Sequence, residues 1–290
     1  MKNISFLFIS GLIFLAACSS NADSKDTKTD SAKAAGVTEK AEAVSTSVAD
    51  AATILAKQQV PVLCYHHIRE PKPGQSETFK SYSVSPTQFA EQMKALHDSG
   101  YQTILPEQLY NYLVHGSSLP AKPVMITFDD TDEEQFSIGW KEMKKYGFKG
   151  VYFLMTISIN RPRYMSKEQI KELAENGNAI EAHTWDHHMV TKYQGEDWEK
   201  QLVQPMKKVE EITGKSAKYF AYPFGLWNTA AFPELEKAGY KLAFCLSGKR
   251  DSTQPLYTVR RMIVPGQWST PGMFRSMKQT FKLDQKTNSK

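Results

Sequence analysis

The sequence predicts a distorted (β/α) barrel of seven or eight parallel strands, formed by a single domain over residues 59–290. From Val60 onward, short apolar runs alternate with amphipathic stretches, which is the order of repeated βα units whose helices cover a parallel sheet. A length of 290 residues also suits one barrel. An open doubly wound sheet is the alternative, although no glycine-rich phosphate loop follows any apolar run.

Capping and turn residues mark the predicted elements in order. Ser85 and Pro86 open a helix that Gly100 closes, and Ser166 and Gly177 bound a second helix in the same way. The other predicted helices cover residues 106–116, about 133–146, about 196–213, 229–239 and about 270–281. The predicted strands cover residues 60–66, 101–106, 122–130, 150–156, 178–184, 218–224, 241–247 and 257–265.

The composition is that of an ordinary globular protein, with 41% hydrophobic and 23% charged residues. A net charge of +5 is small for this length, and no dense Lys/Arg cluster is interleaved with aromatic residues. We therefore expect no binding to nucleic acid, and we also expect a monomer.

The N-terminus reads as an export signal over residues 1–17, because one Lys precedes the apolar run "ISFLFISGLIFLAA". The run ends in "LAAC", which resembles a bacterial lipobox and makes Cys18 the lipidated first residue of the mature protein. An ordinary cleavage site with a chance Cys is the alternative. Residues 18–58 contain almost no large apolar side chains and are expected to form a disordered tether. This predicts an exported, membrane-anchored lipoprotein in the periplasm or at the cell surface.

Two further cysteines, Cys64 and Cys245, lie in separate apolar runs. Exported proteins can form disulfides. Isolated cysteines in two strands are more often small buried residues, so the sequence leaves their pairing open.

Polar residues stand where several predicted strands end. "CYHHI" brings His66, "TFDD" brings Asp129 and Asp130, and "EAHTWDHH" brings His183 and His187. The carboxyl ends of the strands meet at one mouth of a parallel barrel, which is where such folds carry their chemistry. We therefore expect these side chains to lie close together.

Two imidazoles four residues apart can reach one metal ion. With one carboxylate they form a two-His, one-carboxylate face that leaves positions open for water and substrate. One aspartate is then neutralised by the metal, and the other stands beside it as a base. The ligand set favours one divalent ion, Zn²⁺ first, and also accepts Co²⁺, Ni²⁺ or Fe²⁺. Taken alone, adjacent aspartates also occur in helix-capping turns, and many H-x-x-x-H pairs bind nothing.

These motifs resemble the polysaccharide deacetylase family, also called carbohydrate esterase family four and NodB-like. "TFDD" (127–130), "HTWDH" (183–187) and "YPFG" (222–225) are similar to its three motifs, and the likeness spans roughly residues 60–265. The family's usual late catalytic His is missing, since His188 is the last histidine of the chain. "LCYHHI" before the first motif and "RRMIVPG" (260–266) instead resemble the branch of poly-β-1,6-N-acetylglucosamine deacetylases.

The resemblance implies a role for individual residues. It makes Asp129 the general base and His66 the general acid, and it gives the backbone N–H of Phe224 a place in the oxyanion hole. The metal ligands that it implies are Asp130, His183 and His187.

The sequence departs from the family pattern at two places. Thr131-Asp132 replaces the Gly-Tyr that commonly follows the first motif, and the Arg that often precedes the Pro of the third motif is absent. Arg260 or Arg261 is the candidate replacement as partner of Asp129.

A glycan site is also expected to offer aromatic faces. The aromatic candidates are Trp185, Tyr222, Phe224, Trp227 and Trp268. We expect two or three of them to line the groove, with Trp185 the leading choice because it lies between two implied metal ligands.

The resemblance implies a metal-dependent hydrolase that removes N-acetyl groups from an N-acetylglucosamine-containing polysaccharide, most similar to a poly-β-1,6-linked exopolysaccharide. Peptidoglycan, chitooligosaccharides and O-acetyl esters are the alternative substrates. A catalytically inactive glycan-binding lipoprotein is the alternative from a different class.

Overall fold

The computed structural model describes residues 48–246 and 248–283. The predicted signal peptide, Cys18 and most of the predicted tether lie outside these residues. Within the described part of the chain, no helix has both the length and the apolar character needed to cross a bilayer.

Short parallel strands alternate with helices along the described chain. The strands are β1 Val62–Tyr65, β2 His67–Ile68, β3 Ser83–Val84, β4 Gln102–Thr103, β5 Pro123–Asp129, β6 Val151–Leu154, β7 Ala179–Ala182, β8 Tyr219–Ala221, β9 Leu242–Leu246 and β10 Val259–Ile263. The helices are α1 Ala51–Ala56, α2 Glu77–Ser81, α3 Pro86–Asp98, α4 Pro106–His115, α5 Lys141–Lys144, α6 Lys167–Glu175, α7 Gln204–Thr213, α8 Ala231–Ala238 and α9 Thr270–Phe281.

The barrel closes through β1, which pairs in parallel with both β10 and β5. The remaining order is β10-β9-β8-β7-β6-β5, so seven parallel strands complete the ring and the predicted barrel is confirmed. The predicted strand 101–106 shrinks to the two residues of β4, which pair only with Pro123 and Val124. From Met125 onward, β1 occupies that edge of β5, and β4 has no edge left to extend along.

Every second side chain along a strand points into the barrel interior, because successive side chains of a strand point to opposite faces. At one end they form an apolar cluster that includes Met125, Phe153 and Phe244. Along β5 the next residues on the same face are Thr127 and Asp129, and both are buried. The interior thus changes from apolar to polar towards the carboxyl ends of the strands, where the predicted site lies.

The barrel is distorted between β7 and β8, which share only the pair Ala182–Phe220. The buried carboxyl group of Glu181 accepts hydrogen bonds there from the N–H groups of Lys218 (2.8 Å) and Tyr219 (2.9 Å). It replaces ladder hydrogen bonds that the separated strands cannot form. A cavity of about 490 Å³ opens beside this seam, at the amino ends of the two strands and away from the predicted site.

The predicted end of the tether at residue 58 is wrong. Asp50 caps α1 by accepting a hydrogen bond from the N–H of Thr53, and Ile54 is buried against the domain. The N–H of Ala49 also donates to the carbonyl oxygen of Val114 at 3.0 Å, so this polar segment joins the fold through a surface that the barrel supplies. The two predicted helices near 133–146 and 196–213 begin with π-helical segments, Gln135–Trp140 and Glu199–Val203.

Cys64 and Cys245 are both buried and unbridged. They lie on β1 and β9, which flank β10, so they occupy the small buried positions that their apolar runs favour.

Candidate active site

Three strand ends bring the predicted polar residues to one mouth of the barrel. The Oδ1 atom of Asp130, just beyond β5, lies 3.5 Å from Nε2 of His183 and 3.4 Å from Nε2 of His187. Asp129 and His66 lie beside this group, at the ends of β5 and β1. The structure therefore assembles all five residues that the sequence places in the chemistry.

Asp130, His183 and His187 fit a divalent cation. Ligand atoms bound to one ion at about 2.0–2.2 Å stand about 3–3.5 Å apart, which matches the observed separations. Asp130 Oδ1 is buried and has no hydrogen-bond partner within the described chain. Nδ1 of His183 donates to the carbonyl oxygen of Ala221 at 2.7 Å, so its Nε2 is left as an acceptor facing Asp130.

The backbone that carries these ligands is strained. Asp130 has φ 76°, Thr184 φ 71° and His187 φ 66°, in the left-handed region that non-glycine residues rarely occupy. Local hydrogen bonds hold the turn, since the N–H of His187 donates to Thr184 Oγ1 at 2.9 Å. The N–H of Trp185 donates to Oε1 of the buried Gln201 at 3.0 Å. Such strain is typical of a functional site.

Asp129 is held by a buried arginine on β10. Nη1 and Nη2 of Arg261 donate to Oδ1 and Oδ2 of Asp129 at 2.6 and 2.7 Å, and both side chains are 1% exposed. Of the two arginines that the sequence offers, Arg261 is the partner, while Arg260 lies on the opposite face of the strand and is partly exposed. Burial raises the pKa of Asp129, but the charges of Arg261 and His183 and the hydrogen bonds from Arg261 together outweigh burial and lower the pKa to about 2.

His66 lies close to Asp129, with the thiol of Cys64 next to both side chains. Cys64 Sγ is 3.9 Å from His66 Nδ1 and 3.7 Å from Asp129 Oδ2. The ring of Tyr82 meets the His66 ring edge to face, with centroids 4.7 Å apart. Burial lowers the pKa of His66 below its usual range, although the charges of Asp130 and Asp129 act in the opposite direction.

The two metal-facing histidines, His183 and His187, have pKa values shifted in opposite directions. Burial, with the nearby charge of His183, lowers the pKa of His187 to about 4. Burial also lowers the pKa of His183, but the charges of Asp129 and Asp130 outweigh it and the pKa is raised. At neutral pH His187 is therefore an uncharged imidazole, which is the form that binds a metal.

Sequence reasoning missed two residues that support the catalytic groups. Nε2 of the buried Gln135 donates to the carbonyl oxygen of His66 at 2.8 Å and to that of Asp129, and so ties the ends of β1 and β5 together. Its place in a π-helical segment has no periodic signature. Cys64 could have been found, because it stands two residues before His66 on the same face of its strand.

Phe224 is placed beside the metal-facing group. It has φ 59°, its side chain is 54% exposed, and its ring lies 4.5 Å from that of His187. Gly225 follows with φ 68°, and a Cβ at this position would lie 2.2 Å from Cβ of Leu246. The glycine of "YPFG" thus lets the turn approach β9 closely and fixes the position of Phe224.

Tyr222 does not line the groove, so that prediction is wrong. Its side chain is fully buried, and its hydroxyl donates to the carbonyl oxygen of Tyr257 at 3.0 Å. The residue directly follows β8 and packs against Phe220 in the core between barrel and helices.

The three tryptophan candidates are all partly buried. Lys200 Nζ lies 4.0 Å from the ring centroid of Trp185 and covers one of its faces. Trp227 stacks on Phe232, and Trp268 packs against the core. Phe224 is therefore the most exposed of the five predicted aromatic residues.

A charged cluster occupies the rim where Thr131-Asp132 replaces Gly-Tyr. Asp132 Oδ2 lies 2.6 Å from His67 Nδ1, and Asp132 Oδ1 lies 3.0 Å from Arg69 Nη2. Glu134 completes the cluster through a contact with Arg69. Three potential ligands thus converge, but the guanidinium already supplies the positive charge between the carboxylates, so this group does not offer a second cation site.

Comparisons with known proteins show which sequences this chain resembles. Residues 116–243 match the family model described as "Polysaccharide deacetylase". The YxkH protein of Bacillus subtilis (strain 168) is 29% identical over 216 residues, 74% of this chain and 73% of that protein. The poly-β-1,6-N-acetyl-D-glucosamine N-deacetylase of Staphylococcus aureus (strain MRSA252) is 34% identical over 190 residues, 60% of this chain and 64% of that enzyme's length.

A solved structure supports the fold. The Streptococcus pyogenes deacetylase PplD in complex with acetate superposes with a TM-score of 0.69 at 22% identity, covering 76% of this chain and 98% of that one. This similarity supports the barrel architecture, while the site residues rest on the contacts described above.

Proposed function

The chain belongs to the polysaccharide deacetylase family, and from that premise we propose that it is a metal-dependent N-deacetylase of poly-β-1,6-N-acetylglucosamine or a closely similar exopolysaccharide. One observation carries the reaction. Asp130, His183 and His187 converge within 3.5 Å contacts, with the Arg261-bound Asp129 and the buried His66 beside them. Ligands, base and acid therefore share one mouth of the barrel.

The metal-facing residues fit a divalent cation, with Zn²⁺ our first choice for three ligands of this kind. When bound by Asp130, His183 and His187, the ion supplies Lewis acidity at the acetyl carbonyl. The rest of the chemistry belongs to the protein's own side chains.

Asp129 acts as the general base and accepts a proton from the attacking water. Its pKa of about 2 means that the carboxylate is ionised at neutral pH, which is the form that can accept a proton. The two hydrogen bonds from Arg261 fix the plane of the carboxylate and leave its motion restricted.

His66 acts as the general acid and protonates the amide nitrogen as the C–N bond breaks. This step is required because an amine anion is not a viable leaving group near neutral pH. Burial lowers the pKa of His66, so its protonated form is a stronger acid than a free imidazolium. The backbone N–H of Phe224, next to His187, stabilises the oxyanion; one such donor typically contributes about 3 kcal/mol.

Two features support a β-1,6-linked polymer as substrate. The enzyme from Staphylococcus aureus named above shares 34% identity over 190 residues. The acid His66 comes from the first strand, as in the branch that the sequence resembles. Peptidoglycan, chitooligosaccharides and O-acetyl esters are the competing substrates.

Acetate release from matched glycans tests the proposal. We expect release from β-1,6-linked N-acetylglucosamine oligomers that exceeds release from β-1,4-linked oligomers and peptidoglycan fragments. A chelator should abolish it and Zn²⁺ should restore it. Preference for a β-1,4-linked glycan would overturn the substrate, and no release from any glycan with any divalent metal would favour a glycan-binding protein.

We also propose that the protein is exported and anchored to a membrane through lipid on Cys18. The sequence "LAAC" supports this, together with the apolar run before it. Metabolic labelling with radioactive palmitate should mark the wild-type chain and not the Cys18→Ala variant. A wild-type chain without label would contradict the anchor.

A further inference from the structure

One short stretch of chain covers two adjacent histidines. Phe79 in α2 stacks on His67, with ring centroids 4.7 Å apart and planes at 23°. Tyr82, three residues later, meets the ring of His66 at the same centroid distance of 4.7 Å with planes at 77°. Each histidine therefore has its own aromatic neighbour from this stretch.

The backbone of Tyr82 is fixed to the residue that follows His66. The N–H of His67 donates to the carbonyl oxygen of Tyr82 at 3.1 Å. Immediately afterwards β2 and β3 pair in parallel, with His67 opposite Ser83. The side chain of His67 is held in turn by Asp132 at 2.6 Å. The distance between the backbones that carry His66 and Tyr82 is thus set by strand pairing.

The loop after β10 closes on this stretch from the other side. The N–H of Gly266 donates to the carbonyl oxygen of Ser81 at 3.1 Å. A Cβ at Gly266 would lie 1.9 Å from the carbonyl oxygen of Ser83, so no side chain fits there. Tyr82 is therefore clamped between β2 and Gly266.

The hydrogen bond at Nδ1 of His66 is weaker than the one at Nδ1 of His183. Nδ1 of His183 donates to a carbonyl oxygen at 2.7 Å, whereas Nδ1 of His66 contacts a thiol, Cys64 Sγ, at 3.9 Å. A thiol at that distance is a weak partner. Since a hydrogen bond at the second ring nitrogen normally sets the orientation of an imidazole, a weak one leaves the orientation of His66 to depend on packing as well.

We propose that Tyr82 is a positioning residue for the general acid. Its ring, edge to face with that of His66, keeps the imidazole in the orientation that delivers a proton to the leaving amine. The proposal rests on the proposed deacetylase function, and it assigns the effect to the aromatic ring of Tyr82 and not to its hydroxyl.

Two substitutions at this position test the proposal by acetate release. Tyr82→Ala should lower kcat about tenfold with KM nearly unchanged, because the ring acts on proton delivery and not on substrate binding. Tyr82→Phe keeps the ring and should retain kcat within about twofold. Tyr146 is a matched control, since it is a half-buried tyrosine packed on a different histidine, His97, at 5.1 Å. Tyr146→Ala should leave kcat unchanged.

The contact between the rings of Tyr82 and His66 can be measured by NMR, without an activity assay. The His66 ring proton resonances, assigned by comparison with the His66→Gln variant, should shift in Tyr82→Ala through loss of the ring current and stay in place in Tyr82→Phe. If the parent enzyme is active and Tyr82→Ala keeps its kcat, the role of Tyr82 is overturned while the proposed function stands. Equal losses in the Phe and Ala variants overturn it as well, because the hydroxyl would then be responsible. A parent enzyme that releases no acetate overturns the proposed function instead.

Discussion

Arg261 donates two parallel hydrogen bonds to Asp129, at 2.6 and 2.7 Å, from a strand that adjoins neither β5 nor either metal-facing histidine. Both groups are buried, so each charge depends on the other for compensation. Arg261 therefore takes the place of the arginine that is absent before the Pro of the third motif. The orientation and the pKa of Asp129, the proposed general base, therefore depend on a residue of β10.

Replacing Arg261 by lysine should lower kcat between about 10- and 100-fold. An ammonium group cannot form the two-pronged contact, so Asp129 loses the fixed orientation in which it accepts the proton. Steady-state acetate release measures the effect. Arg260→Lys, on the outer face of the same strand, is the control and should keep the parent rate; equal losses in the two variants would contradict the assignment.

Asp129→Asn should lose activity while the protein keeps its metal. The amide cannot accept the proton from water, and loss of a general base typically costs about 10²–10⁴-fold in rate. Asp130, His183 and His187 remain in place, so elemental analysis should show unchanged metal content. Turnover at the parent rate would rule out Asp129 as the base.

His187→Ala should weaken metal binding by on the order of 100-fold or more, because even the groups that merely support metal ligands are worth 10–100-fold. Metal content after dialysis against a weak chelator measures this loss. His188→Ala is a matched control, since His188 is the exposed neighbour on the same loop. If both variants retain the same metal content as the parent, His187 is not a ligand.

Glu181 should make the stability of the fold fall as pH rises from 5 to 8. Burial raises the pKa of Glu181 to about 8 in the folded protein from its usual 4.5, although the N–H groups of Lys218 and Tyr219 act against it. Between these values the folded state keeps a proton that the unfolded state has lost. The contribution is therefore fully present below 4.5 and disappears as pH approaches 8.

Thermal unfolding at a series of pH values tests this dependence. The Glu181→Gln variant stays uncharged and should show a flatter dependence of Tm on pH than the parent. Glu172→Gln, on the exposed side of α6, should follow the parent curve. A parent Tm that does not decline relative to Glu181→Gln would show that Glu181 is already ionised in the folded protein.

The parts of the fold that the sequence predicted are those with strong local signals. Ser85 and Ser166 cap α3 and α6 as expected, through hydrogen bonds to the N–H groups of Gln88 and Gln169. The strand boundaries near Asp129 were also predicted, because buried apolar runs end at charged residues. In contrast, β4 depends on which strand takes the edge of β5, and α1 depends on a surface supplied by the barrel. Such tertiary effects leave no pattern in the segment itself.

The same distinction holds for the site. The five residues assigned to the chemistry stand at or beyond the ends of strands, and the parallel topology brings these ends to one mouth of the barrel. Tyr222 was misassigned because neighbouring residues of "YPFG" point to different sides: Tyr222 into the outer core and Phe224 towards His187. Gln135 and Tyr82 reach the site through a π-helical segment and a short strand pair, neither of which a sequence pattern marks.

Anomalous X-ray diffraction at the zinc edge, from crystals of the Zn²⁺-loaded protein, tests the central claim most directly. We predict one peak at the barrel mouth, about 2.0–2.2 Å from Nε2 of His183, Nε2 of His187 and a carboxylate oxygen of Asp130. The claim is contradicted if no peak lies within bonding distance of these three residues, or if the only peak lies among His67, Asp132 and Glu134.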